Sequence, residues 1–154
     1  MAREGRTALE VHVRNLQREV VDTELLADVT RAAVAAEGSA IDVMGLVLVD
    51  DARISALNEQ LLGRTGPTDV ISFEAEQTPD GGTEAEAYIS VERAAVQAGE
   101  YQHALHYELA FLVAHAVLHA LGWCDGDPDA RRQMLARQTE IIEPLEARIA
   151  IADI

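Results

Sequence analysis

Cysteine is nearly absent from this chain: Cys124 is the only one in 154 residues. An internal disulfide is therefore excluded, and the single thiol suits a reducing compartment. Long apolar runs are missing too. No stretch reaches the roughly eighteen consecutive apolar residues of a membrane span, and MAREGRTALE at the N-terminus lacks the apolar core of a signal peptide. The expected location is cytoplasmic, with no membrane partner. Positive charge is scarce: 12 Lys and Arg face 27 Asp and Glu, a formal net charge of −15. The average field repels phosphate backbones, so any nucleic-acid partner must meet a local basic patch. Internal repeats and low-complexity tracts are also lacking.

What is present is the material of a core. Apolar residues make up 49% of the chain and are spread along it, which excludes an acidic disordered protein. The length fits one domain, spanning residues 1–154, that needs no disulfide or metal staple. LEVHVRN (9–15) alternates apolar and polar residues as a strand with one buried face does. TELLADVTRAAVAAEG (23–38) has helical spacing, with Asp22 or Thr23 as its cap and Gly38 as its end. IDVMGLVLVDD (41–51) reads as a central strand, and ARISALNEQLLG (52–63) as a helix stopping at Gly63. Val70–Phe73 is a further β-rich run. The polar stretch EQTPDGGTEAEA (76–87), with Pro79, Gly81 and Gly82, predicts a mobile loop. AYISV (87–91) is the next strand. Three helices follow: a short one to about Gly99, a long apolar one over about 103–121, and a last one over about 129–150.

The chemistry-bearing stretch is HAVLHALGWCD, residues 115–125. On a helix, His115 and His119 stand one turn apart on one face and can aim both imidazoles at one point. Catalytic zinc takes three protein ligands and leaves a position open, so a third donor must return after the helix ends at Gly122. Asp125 is that donor by position, and Cys124 is its rival, since thiolate also binds zinc. The bland alternative makes both histidines core residues and Asp125 a loop acid ahead of Asp127 as N-cap and Pro128 as first helical residue. The spacing resembles that of zincin metalloproteases, but Ala116 stands where their general-base glutamate would be.

Two motifs in order resemble the bacterial YbeY family, zinc-dependent endoribonucleases that mature ribosomal RNA. HAVLHALGWCD is similar to the family's HGxLHLxGYDH, and SALNEQLLGRTGPTDVISF (55–73) to its LNxxYRxxxxPTDVLSF, keeping Leu57, Asn58, Pro67, Thr68, Asp69, Val70, Ser72 and Phe73. Departures fall on chemistry: Asp125 takes the place of the third zinc histidine, Cys124 that of an aspartate, Ala116 that of a glycine and Leu62 that of an arginine. In the strand similar to LGDIVIS, Ala85 and Glu86 take the places of Gly and Asp.

The resemblance implies an α+β, zincin-like fold with a small mixed sheet of about four strands packed with helices. It also implies one zinc ion on the C-terminal helical part, with His115, His119 and Asp125 as metal residues. The implied activity is endonuclease cleavage of single-stranded ribosomal RNA in maturation and quality control, with the ribosome or its small subunit as partner. The catalytic candidates are His115, through the metal, and Arg64, whose guanidinium matches a phosphate in a two-pronged way. Thr68 and Asp69 act either on the site or only as turn residues. The acidic stretch 74–86 is expected to point away from the RNA or to move. A ribosome-associated binder that has lost the reaction is the alternative, and a peptide hydrolase a weaker one.

Overall fold

The structure is a computed structural model describing residues 9–38 and 41–154. The N-terminal stretch read for a signal peptide falls mostly outside these residues. Strand β1 (Glu10–Asn15) leads through helix α1 (Thr23–Ala36) to strand β2 (Val43–Val49), which lies parallel to it. Asp22 caps α1, its Oδ1 accepting from Leu25 N–H at 3.0 Å. Helix α2 (Asp51–Leu62) then ends at Gly63, whose φ of 65° is the left-handed cap conformation that glycine adopts most cheaply. Strands β3 (Val70–Ser72) and β4 (Glu76–Gln77) both run antiparallel to β5 (Thr83–Ser90), and β5 runs parallel to β2. The order β1-β2-β5-β3, with β4 also on β5, makes one mixed five-stranded sheet.

Helices α3 (Val91–Tyr101), α4 (Leu105–Ala120), α5 (Pro128–Ile142) and α6 (Glu146–Ala152) complete the α+β domain. Met44, Leu46 and Leu48 alternate onto one face of β2 and join Ala87 and Ile89 of β5 in the main core. Helix α4 is apolar nearly all round because it fills that core: Leu109, Val113, Val117 and Leu118 are fully buried. The opposite face of the sheet carries a smaller cluster, Val47, Val49 and Ile71 under Ile54 of α2.

Two expectations need correction. The segment 76–87 is not a loop: it forms the β4–β5 hairpin, and β5 starts at Thr83 rather than 87. Its acids obscured the strand period, since Glu84 and Glu86 are exposed while residues 83, 85, 87 and 89 turn inward. The last helix is broken at Glu143–Leu145 by Pro144, which has no N–H for the helix ladder. No helix among the described residues is long and apolar enough to cross a membrane.

Candidate functional site

Helix α4 ends in His115-Ala-Val-Leu-His119-Ala120, and its last two turns carry the site. Gly122, at φ 97°, reverses the chain, with its N–H on His119 O and Trp123 N–H on Leu118 O. This turn is clamped from outside. Trp123 Nε1 donates to Glu37 Oε1 at 2.8 Å, and Glu37 Oε2 accepts from Arg137 Nε at 2.6 Å, so α1 and α5 together hold the segment that delivers Asp125. Asp127 Oδ1 then accepts from Ala130 N–H and starts α5 with Pro128 in its first turn.

The result is convergence. Asp125 Oδ2 lies 3.7 Å from His115 Nε2 and 3.5 Å from His119 Nε2, and the three donor atoms fall within 4.8 Å of one another. Two metal–ligand bonds of about 2.0–2.2 Å at a tetrahedral angle separate their donors by about 3.3–3.6 Å, close to both Asp125 separations. Cys124 is outside this group; its exposed thiol points back to Gly122 O at 3.7 Å.

Both rings are held by their other nitrogen. Gln138 Nε2 donates to Phe111 O at 3.1 Å, which turns Oε1 toward His115 Nδ1 at 3.2 Å. His119 Nδ1 donates to Trp123 O at 2.9 Å. With each Nδ1 carrying a proton, each Nε2 presents its lone pair toward Asp125, the tautomer that a metal ligand needs. Burial pushes the His115 imidazole below its ordinary range, and His119 adds to this, against Gln138, Asp125 and Asp69. The neutral ligand form is thereby favoured.

Two hollows meet at Asp125. One of about 320 Å³ borders His119, Trp123, Cys124, Ser72, Phe73 and Glu74. The other, of about 530 Å³, borders His115, Gln138, Asp69 and the helical residues further up α4. Asp69, read from the sequence as either a site or a turn residue, does both: Oδ1 accepts from Val70 N–H at 2.8 Å, and its side lines the larger hollow. Thr68 keeps only the turn contact, to Asp69 Oδ1 at 3.5 Å. Arg64 is not brought to the histidines. It stands exposed just past Gly63 and lines neither hollow. Leu62, also exposed, follows Leu61 at the end of α2, and Asn58 donates to Gly66 O to fix this connection. Of the acidic stretch, Glu76, Glu84 and Glu86 turn to the open face of the sheet, whereas Glu74 also borders the site. Gln138, Glu37 and Arg137, which position the site, carry no motif signal.

Residues 8–146 match the family described as Endoribonuclease YbeY. The chain belongs to the YbeY family. Among curated relatives, Endoribonuclease YbeY of Pelotomaculum thermopropionicum is 41% identical over 145 residues, covering 87% of this chain and 95% of the relative. That of Moorella thermoacetica is 42% identical over 149 residues, covering 87% and 96%. The solution structure of TM1509 from Thermotoga maritima shares the fold, with a TM-score of 0.58 at 21% identity, over 88% of this chain and 93% of that one.

Proposed function

We propose that this YbeY-family chain is a metal-dependent endoribonuclease that cleaves single-stranded RNA, with His115, His119 and Asp125 holding one divalent ion. The convergence of the two Nε2 atoms on Asp125 Oδ2 carries the reading. Nitrogen donors in a tetrahedral spacing favour zinc over magnesium. Such an ion supplies Lewis acidity at a phosphodiester. The protein supplies the rest: Gln138 and the Trp123 carbonyl fix the rings, Asp125 adds negative charge, and the hollows on either side of it give a strand two directions in which to run. The carboxylate makes the ion a weaker acid than a three-histidine set would. Ribosomal RNA, met on the ribosome or its small subunit in the cytoplasm, is the substrate that family membership supports. Arg64, away from the ion, contributes a phosphate contact to RNA beyond the hollows. Peptide hydrolysis lacks support, because Ala116 is fully buried and offers no base.

Metal analysis and RNA cleavage, with and without chelator, test this on the parent and three variants. One zinc per chain and chelator-sensitive cleavage are expected. Asp125→Ala should lose both, Asp125→His should retain or raise affinity, and Cys124→Ser should change little. If Cys124→Ser loses the ion instead, the ligand set is wrong. Bound metal without cleavage of any RNA would favour the ribosome-associated binder. For Arg64→Ala, the salt dependence of RNA affinity should flatten by about one unit of slope.

A further inference from the structure

The 530 Å³ hollow beside His115 is more than a margin of the metal site. Its volume falls in the ~300–1,000 Å³ range of small-molecule sites. Besides His115, three of its lining side chains are flat rings: Tyr101 at the end of α3, His103 in the α3–α4 connection and Phe111 on α4. Phe111 lies one helical turn before His115, so the ring surface leads to the convergence point. Tyr101 is largely exposed, and Gln102 beside it adopts φ 58°, the left-handed turn that carries the chain from α3 toward α4.

Glu108 lines the same hollow, although it is only 5% exposed. Among the described residues its carboxylate meets one partner, His103 Nδ1, at 3.4 Å from Oε1. Oε2 has no hydrogen-bond partner there. A largely buried carboxylate with an oxygen unused carries a desolvation cost that a ligand N–H would offset. Asp69 and Asp125 add two more carboxylates to the wall, so the hollow disfavours a free phosphate and accepts groups that donate.

We propose that this hollow is a nucleobase subsite flanking the cleaved bond, in which the rings stack a base and Glu108 selects guanine. The inference rests on the RNA reading above. Single-stranded bases stack on Tyr, His and Phe side chains, and a carboxylate reads bases by accepting from their N–H groups. Guanine is the base whose Watson–Crick edge carries two adjacent donors, its ring N1–H and exocyclic amino group. Adenine and cytosine pair one amino group with a ring acceptor that would face a carboxylate oxygen. Uracil places a single N–H between two carbonyls. The Glu108 carboxylate, which can only accept, therefore favours guanine over the other three.

The test uses zinc-loaded protein and single-stranded uridine oligonucleotides that carry one guanosine, inosine, adenosine or cytidine. Cuts beside guanosine should exceed those in the uridine background by about tenfold, the scale of one good base contact. Inosine, which lacks the amino group, should lose much of that preference with the protein unchanged. Glu108→Gln should bring the guanosine-to-uridine ratio toward one, and Phe111→Ala should raise KM on all substrates. In parallel, NMR titration with the dinucleotide GpU should shift Tyr101, His103 and Phe111 more than UpU does. Equal cutting at all bases, or equal shifts by GpU and UpU, overturns the subsite. Selective shifts without cleavage of any RNA overturn the proposed reaction and leave the subsite standing.

Discussion

Helix α4 bears histidines near both ends, and the two ends use them in opposite ways. At its start, His106 spends both ring nitrogens on the protein. Nδ1 is 2.7 Å from Asp153 Oδ1 at the end of α6, and Nε2 accepts from Asp22 N–H, at the cap of α1, at 3.0 Å. It is a three-way pin, 5% exposed. At the other end, His115 and His119 spend only Nδ1 on the protein, and that bond holds each Nε2 toward Asp125. An aspartate neighbour alone does not separate the cases, because each end has one. What separates them is whether the second nitrogen already has a backbone donor.

The largest effect expected from this contrast is a double dissociation. His119→Ala should leave the metal-free protein nearly as stable as the parent while metal-dependent cleavage falls by more than about 100-fold, beyond the 10–100-fold typical of outer-sphere partners. His106→Ala should keep the metal but destabilise the fold by about 1–3 kcal/mol, because the Asp22 N–H loses its acceptor in a partly buried place. Thermal unfolding and metal content, measured on both, decide it. If both variants lose stability equally and neither loses metal, all three histidines are structural.

A smaller effect sharpens the same contrast. Gln138 is 1% exposed and stands to His115 as an orienting partner rather than a ligand. Gln138→Leu should weaken metal affinity by about 10–100-fold. Gln138→Glu keeps an acceptor for Nδ1 and should hold affinity near that of the parent, although Phe111 O loses its donor. Equal losses in the two variants would trace the effect to packing instead.

The two ends also differ in how much of them was legible in the sequence. His115 and His119 announce themselves by a four-residue spacing, and Gly122 by its place after the helix, because both signals are local. Gln138, 23 residues on, and Glu37, 86 residues before Trp123, act through tertiary contacts that no spacing encodes. His106 carries no such local signal, since its partners come from the end of α6 and the approach to α1. The same limit explains β5. Local reading follows hydropathy, and Glu84 and Glu86 are strand residues because β2 pairs with both, Val43 with Glu84 and Gly45 with Glu86, and β4 pairs with Glu84 on its other side. Arg64 stands near the PTDV segment in sequence but apart from the histidines in space, because β3 begins at Val70 while residues 61–67 stay exposed.

Glu108 gives the smallest expected effect, and it lies between the two ends of α4. Burial raises its carboxyl above the ordinary 4.5, with Asp69 acting in the same direction, and the hydrogen bond and charge of His103 only partly oppose this. A carboxyl raised in the folded state binds its proton more tightly there than in the unfolded chain. Its contribution is therefore most favourable below about pH 4.5 and is lost as pH rises through the folded value. Glu108→Gln removes that dependence, so the variant should unfold at a higher temperature than the parent at pH 7, with the gap closing on acidification toward 4.5. Calorimetry across this range measures it, and a gap independent of pH would mean that shape rather than charge governs the position. The His106 pin satisfies its groups, whereas Glu108 keeps an unused acceptor in the hollow that also borders His115. A variant that gains stability at neutral pH while losing guanosine preference would show that this acceptor is retained for function.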